Sequence, residues 1–233
     1  MATIPTNPDH RIAVDAAHSS RPGEFFDSFA DEFDTFYDGK RNRVMQWIDH
    51  RFRSDMFERF DRTFSLLGDL AQKSVLDIGC GSGPYITEAV HRGAIRITAI
   101  DPAASMLRLA HERLIKFGVT AHVDFIEGYF PRVIPEIRHH YGIAMGVMDY
   151  VEDSVSFLRA LRSAVDIGAA VSFPSVHWFR SPVRRVRYRL RACPLFLYTE
   201  GDIHRLMRSS DIQRYDVHKI PGAGMDFVVW IQA

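Results

Sequence analysis

The chain has 233 residues, enough for one α/β domain with an elaboration and a substantial buried core. Its 29 lysines and arginines balance its 29 aspartates and glutamates, so net charge points to neither nucleic acid nor an anionic membrane surface. Two cysteines, Cys80 and Cys193, are too few for a disulfide framework or a multi-cysteine metal site, and no stretch reaches the roughly twenty apolar residues of a membrane span.

Residues 1–22 carry Pro, Asn, Asp and His with no apolar leader core, and read as a flexible N-terminal arm of a cytoplasmic protein. From Glu24 the aromatic residues Phe26, Phe29, Phe33 and Tyr37 fall at three- and four-residue steps, which places them on one face of a helix. That stripe either packs on the core or lids a ligand site. A longer helix follows over about 41–70, with Val44, Trp47, Ile48, Phe52, Met56, Phe60, Phe64 and Leu67 apolar. Together 23–70 are expected to form a helical lid.

After it the pattern alternates. Strand 74–79 leads to helix 84–92, strand 95–100 to helix 103–117, strand 121–127 to a short helix near 131–138, and strand 142–148 to helix 153–165, capped by Asp153. Strand 168–174 then opens a basic region. Such alternation implies a parallel sheet with helices on both faces. Ser181-Pro182 suit a helix start, after which Arg184, Arg187 and Arg191 share one face and Val183, Val186 and Leu190 the other. This segment reads as a solvated amphipathic helix or as an anion-recognition surface. Helix 200–209 leads into strand 212–219 and, through Pro221-Gly222-Ala223-Gly224, into strand 225–232. The turn is short, so these two strands are expected to pair antiparallel.

The chemistry concentrates in residues 73–83, a short apolar strand ending in Asp77 followed by Gly79, Gly81 and Gly83. Glycine at that density lets the chain turn sharply and lets a ligand approach the backbone. With a helix directly behind, this is a cradle for a nucleotide-like ligand. Asp101 ends the next strand, where a carboxylate can accept hydrogen bonds from a ribose diol. A dinucleotide fingerprint starting at Gly79 would need glycine at position 84, which is Pro84.

The run Val75-Leu76-Asp77-Ile78-Gly79-Cys80-Gly81-Ser82-Gly83 resembles the first motif of class I S-adenosylmethionine (SAM)-dependent methyltransferases of the small-molecule type, and Asp101-Pro102-Ala103-Ala104-Ser105-Met106 resembles their second-strand signature. The resemblance extends from about residue 25 to the C-terminus. It implies an α/β fold with a seven-stranded, mostly parallel, doubly wound sheet, an antiparallel last strand, and N-terminal helices forming a lid. On that pattern 23–233 is a single domain: a SAM-binding core at 71–174, a basic substrate-recognition insertion at 175–200, and a closing helix and strands at 201–233. SAM is the implied cofactor, with no metal. The implied cofactor-binding residues are Tyr37, within Phe33-Asp34-x-x-Tyr37-Asp38, then Asp77, Gly79, Cys80, Gly81, Asp101, Pro102, Met106, Gly128, Tyr129, Met145 and Gly146.

Two departures from the family pattern stand out. Tyr129 follows Gly128 where an acidic residue commonly binds the adenine amine, and Tyr141-Gly142 stand where Phe-Asp often opens the fourth strand. Methyl transfer from a sulfonium needs chiefly positioning, plus a base if the acceptor is a hydroxyl. His177, after the fifth strand, and Tyr150, after the fourth, are the candidate catalytic groups; His177 also reads as a loop histidine, at the surface or packed against Trp178. The expected acceptor is an oxygen or nitrogen of a small molecule such as a secondary metabolite or sugar. A lipid, quinone or porphyrin precursor, or a catalytically silent SAM-binding role, is the alternative. Apart from the acceptor, the only expected partner is a second copy in a homodimer, with no nucleic acid and no integral membrane segment.

Overall fold

The computed structural model describes residues 12–14, 57–119, 121–175, 196–220 and 226–233. Strands β1 (Ile12–Val14), β2 (Ser74–Ile78), β3 (Arg96–Asp101), β4 (His122–Glu127), β5 (His139–Ala144), β6 (Val165–Phe173), β7 (Tyr215–Lys219) and β8 (Phe227–Gln232) form one sheet in the order β1-β4-β3-β2-β5-β6-β8-β7. Helices α1 (57–67), α2 (Pro84–His91), α3 (Ala104–Lys116), α4 (Ser154–Ser163) and α5 (Glu200–Ser209) connect or flank the strands.

The seven strands expected from the sequence are present, parallel except for β8, which runs antiparallel to both β6 and β7. An eighth is added. Ile12–Val14, placed by composition in the N-terminal arm, pair parallel with Phe125–Glu127 at the edge of β4. From central β2 the chain steps outward to β3 and β4, then returns to β5 on the other side of β2. Ligands of open parallel sheets bind beyond the strand ends at such a switch.

Side-chain alternation splits the core in two. Val75, Ile97, Val123, Phe125, Tyr141 and Ile143 face one layer with Phe64 and Leu67 of α1, Ile86 of α2 and Leu107 and Leu114 of α3. Leu76, Ile100, Ala144, Val171 and Val229 face the other, with Phe157, Leu158 and Leu161 of α4 and Ile203 and Met207 of α5. Each large apolar side chain buried this way contributes about 1.5–3 kcal/mol. Both layers are full, which is why the parallel strands read as near-continuous apolar runs. Among the described residues no helix is long and apolar enough to cross a membrane.

Four boundaries differ from the sequence reading, one of them the fifth expected strand, 168–174, which lies at Val165–Phe173. The helix expected near 131–138 is a series of turns: Val133 N bonds Tyr129 O, but Pro135 has no N–H and disfavours helix at the residue before it. The fourth expected strand, 142–148, lies at His139–Ala144. It starts early because His139, fully buried, bonds Thr98 Oγ1 through Nε2 at 2.9 Å, and burial pushes its pKa down to about 4. It stops early because Gly146 takes a left-handed φ of 74° and Tyr150 N bonds Val147 O to close a turn. The strand expected at 212–219 begins at Tyr215, since 210–212 are spent ending α5: Ser210 N bonds Leu206 O and Ile212 N bonds Met207 O. The helix cap at Asp153 is as expected, its Oδ1 accepting from Ser156 N at 3.0 Å.

Gly142 also has a structural reason. A Cβ there would stand 2.9 Å from Leu161 Cδ1, 3.0 Å from Ala169 Cβ and 3.1 Å from Val165 Cγ1, so α4 sits too close to β5 for a side chain. Gly142→Val is therefore expected to cost about 1–3 kcal/mol through overpacking, read as a lowered thermal midpoint with an unchanged circular-dichroism spectrum.

Candidate functional site

The turn after β2 is held by its own backbone and by one side chain. Gly79 N and Cys80 N both donate to Ile100 O, at 2.7 and 3.2 Å, which pins the turn to β3. Gly81 N donates to Asp101 Oδ2 at 2.9 Å, and Arg113 Nε reaches from α3 to Ser82 O at 2.8 Å. Gly83 then caps α2, with Pro84 at the first helical position where its missing N–H costs nothing. Gly79 has a φ of 67° and a Cβ on it would fall 2.5 Å from Val147 Cγ2. The turn after β5 thus closes directly over the glycine loop, at the switch between β2 and β5.

Two carboxyl groups share this corner. Asp101 Oδ1 accepts from Ala103 N and Oδ2 from Gly81 N, both at 2.9 Å. The residue expected to receive a ribose is thus also a brace for the loop; a carboxylate oxygen accepts more than one hydrogen bond, so the two duties are compatible. Asp77 is 2% exposed, and its Oδ2 has no hydrogen-bond partner among the described residues. Burial, followed by the neighbouring Asp101 charge, pushes its pKa up to about 8. A buried carboxyl with an orphaned oxygen stays protonated unless a cation arrives. Ser82 Oγ is likewise buried without a partner beside it in the loop.

The remaining expected site residues divide by where their side chains go. Met106 is buried with Ala103 in a small apolar cluster separate from the two main ones, flanked by Leu109, and Pro102 is half-buried beside them. Gly128 N donates to Asp101 O at 3.1 Å, which brings the end of β4 to the end of β3 with half-buried Tyr129 next in chain. Gly146 N donates to Ser172 Oγ at 2.7 Å. Cys80 and Met145 turn into the core instead: Cys80 is 3% exposed with its thiol pushed well up by burial, and Met145 Sδ accepts from Thr63 Oγ1 of α1 at 3.5 Å. Cys80 therefore offers its backbone, not a thiolate. Tyr150 is half-buried on the turn over Gly79. Tyr37 and His177, with the basic helix at 181–191, lie outside the described residues.

So Asp77, Gly79, Gly81, Asp101, Gly128 and Gly146 gather at the C-terminal ends of four strands, β2 to β5. Sequence reasoning missed Val147 and Ser172, which set the turn over the loop. Their signal, an apolar and a hydroxyl residue in apolar runs, is indistinguishable from core until the strands are aligned. Among the described residues no cluster of three or more His, Cys, Asp or Glu is placed to hold a metal ion.

Residues 75–168 match the family model described as a methyltransferase domain. Over the whole molecule, the magnesium protoporphyrin IX methyltransferase of Synechocystis PCC 6803, solved with bound SAH, superposes with a TM-score of 0.72 at 18% identity, covering 91% of this chain and 98% of that one. The chain has the class I SAM-dependent methyltransferase fold. Among curated proteins, a ubiquinone biosynthesis O-methyltransferase of Nitrosospira multiformis is 30% identical over 110 residues, 46% of this chain and 45% of that protein. A tRNA U34 carboxymethyltransferase of Idiomarina loihiensis is 30% identical over 134 residues, 56% of this chain and 40% of that protein. The matched segment thus spans less than half of either relative's length.

SAM fits the residues that the methyltransferase fold places here. Its amino-acid end carries an ammonium and its sulfur a positive charge, and the orphaned oxygen of Asp77 is a buried acceptor lacking a cation. The glycine backbone permits the close approach that side chains would block.

Asp77 makes the site pH-sensitive in two opposite ways. With no ligand, the folded chain holds a proton up to about pH 8 that the unfolded carboxyl releases near its usual 3.8, so this group's contribution to stability falls as pH rises between those values. Binding a cation needs the carboxylate, so affinity for SAM or SAH is expected to rise with pH over the same window, with release of a proton. Calorimetry in buffers of different ionisation enthalpy at pH 7 reads that proton directly. Asp77→Asn should remove the linkage, weaken binding at least ~10-fold through the lost charged hydrogen bond, and leave the ligand-free midpoint unlowered at pH 8.

Proposed function

We propose that this chain transfers the methyl group of SAM to an oxygen or nitrogen of a small molecule. The observation that carries the reading is the corner where unpartnered Asp77 and loop-bracing Asp101 flank a glycine turn covered by Val147. Asp77 would hold the cationic amino-acid end, the backbone at Gly79 and Gly81 would lie along it, Asp101 would take the ribose, and Met106 would give apolar contact to adenine. Tyr129 would line the adenine side in place of the usual acidic residue. SAM supplies an activated methyl on its sulfonium.

The chain's own task is orientation and water exclusion. Val147 and the turn to Tyr150 close one side of the loop. Tyr37 and the N-terminal helices would cover another side. His177 is assigned as the base that takes a proton from an acceptor hydroxyl, with Tyr150 orienting that hydroxyl; for an amine acceptor only orientation is needed. The ubiquinone-biosynthesis and magnesium-protoporphyrin relatives by name favour a ring-bearing acceptor of intermediate polarity. The Arg184, Arg187 and Arg191 face, on the segment between β6 and α5, is assigned to an anionic group on it.

The tRNA-modifying relative supports a second reading, a nucleic-acid acceptor. The even balance of 29 basic and 29 acidic residues favours the first. Incubation with methyl-labelled SAM and three acceptor sets, phenolic acids, porphyrin carboxylates and bulk tRNA, separates them. Label is expected in a small molecule, and label in tRNA alone would overturn the assignment. His177→Ala should then lower kcat on a hydroxyl acceptor ~10²-fold or more with little change in SAM affinity, and unchanged turnover would remove His177 as base.

A further inference from the structure

Residues 196–199 bring the chain back to the sheet from the segment between β6 and α5, and their bonds converge on the turn that covers the glycine loop. Phe196 N donates to Asp149 O at 2.9 Å, and Tyr198 N to Pro174 O at 2.8 Å. Ser175 and Tyr198 form a parallel bridge. The Tyr198 hydroxyl donates to Met148 O at 3.3 Å and lies 3.0 Å from Ser154 Oγ, at the first turn of α4. Its ring meets Phe173 edge-on, with centroids 5.1 Å apart. On its other side the turn is closed by Tyr150 N on Val147 O and tied to β6 by Gly146 N on Ser172 Oγ. Val147 itself fills the space a Cβ on Gly79 would need.

A continuous path therefore runs from Gly79 through Val147 to the Met148 carbonyl, the Tyr198 hydroxyl and the re-entering strand segment. We propose that Tyr198 is a positioning residue that couples occupancy of the glycine loop to residues 196–199 ahead of α5, which rests on the donor-site reading above. A ligand that settles against Gly79 constrains Val147, the closed turn carries that constraint to Met148, and the phenol hands it to the backbone at Phe196. Coupling of this kind is reciprocal, so a ligand that orders 196–199 tightens the donor loop in return. Burial pushes the Tyr198 hydroxyl up from its usual value, with Asp149 adding to the shift, so it remains a donor throughout the neutral range.

The sequence offers no hint of this role. Tyr198 lies in Pro194-Leu195-Phe196-Leu197-Tyr198, an apolar run at the end of the 175–200 insertion. Only the alignment of β6 with the turn after β5 brings its hydroxyl to Met148.

The test is amide hydrogen exchange with and without saturating SAH, in the wild type and in Tyr198→Phe, which keeps the ring against Phe173. In the wild type, SAH is expected to slow exchange at the Gly81 and Phe196 amides together. In Y198F the slowing should persist at Gly81 and shrink roughly fivefold at Phe196, the share of one neutral hydrogen bond. Equal slowing at Phe196 in both proteins, or none there in the wild type while Gly81 is protected, overturns the proposal. Absence of SAH binding to the wild type would instead overturn the donor-site reading on which it rests. Should Y198F fail to fold, Ser154→Ala removes one of the two contacts to the phenol. A smaller loss of the same coupling is expected there, and none would again overturn the proposal.

Discussion

The hydrogen bond from Gly81 N to Asp101 Oδ2 joins the two strand tips on which the rest of the site is built. It holds the glycine turn open toward the switch between β2 and β5, while the paired bonds of Gly79 N and Cys80 N to Ile100 O fix its height above the sheet. Because the second oxygen of Asp101 holds Ala103 N, the same carboxylate also sets where α3 begins, and with it the position of Met106. Asp101 could not be exchanged for an amide without losing an acceptor, since two backbone donors already address its two oxygens. Asp77 is left as the odd carboxyl: buried, next to a charged neighbour, and short of a partner. The fold tolerates that cost at one corner because filled cores lie on both faces of the sheet. An unsatisfied group beside a glycine loop and a second carboxylate points to a ligand there.

The turn after β5 is the second constraint. Its backbone is fixed by Ser172 below and by the Val147–Tyr150 bond within; its Val147 side chain covers the glycine loop on one side, and its Met148 and Asp149 carbonyls accept from the re-entering 196–199 segment on the other. This arrangement explains why β5 must end at Ala144. Had the strand run on to Met148, Val147 would stand on one face of the sheet instead of over Gly79. The left-handed Gly146 is what bends the chain there. Only this single turn lies between the glycine loop and residues 196–199.

Much of this was legible before any coordinates. The three glycines and Asp101 could be read as a cradle from their spacing, and Asp77 as part of it from the family resemblance. Alternation of strand and helix implies a parallel sheet, and the short turn at 221–224 implies the antiparallel β8. Strand ends were less legible. His139-His140 look like a polar loop, yet His139 is a neutral core residue bonded to Thr98, and that neutrality depends on tertiary burial. The stretch 131–138 carries Pro131 and Pro135 with β-branched Val133, Ile134 and Ile137 between and after them, and Pro135 stops a helix that would start at Pro131. The edge strand at Ile12–Val14 is three residues long, below any useful periodicity. Gly142 read as a departure from a family pattern, whereas its cause is the distance of α4 from β5. Val147, Ser172 and Tyr198 escaped because their roles arise from residues 26 or more positions away, which local pattern does not encode.

If the orphaned oxygen of Asp77 anchors a cationic, nucleoside-bearing donor in the glycine loop, a crystal structure of the full chain grown with SAH will show it. The ligand's amino-acid end is expected at hydrogen-bond distance from Asp77 Oδ2, its ribose against Asp101, and the Gly81–Asp101 bond intact. A ligand bound elsewhere, or bound in the loop with Asp77 Oδ2 still without a partner, would contradict it.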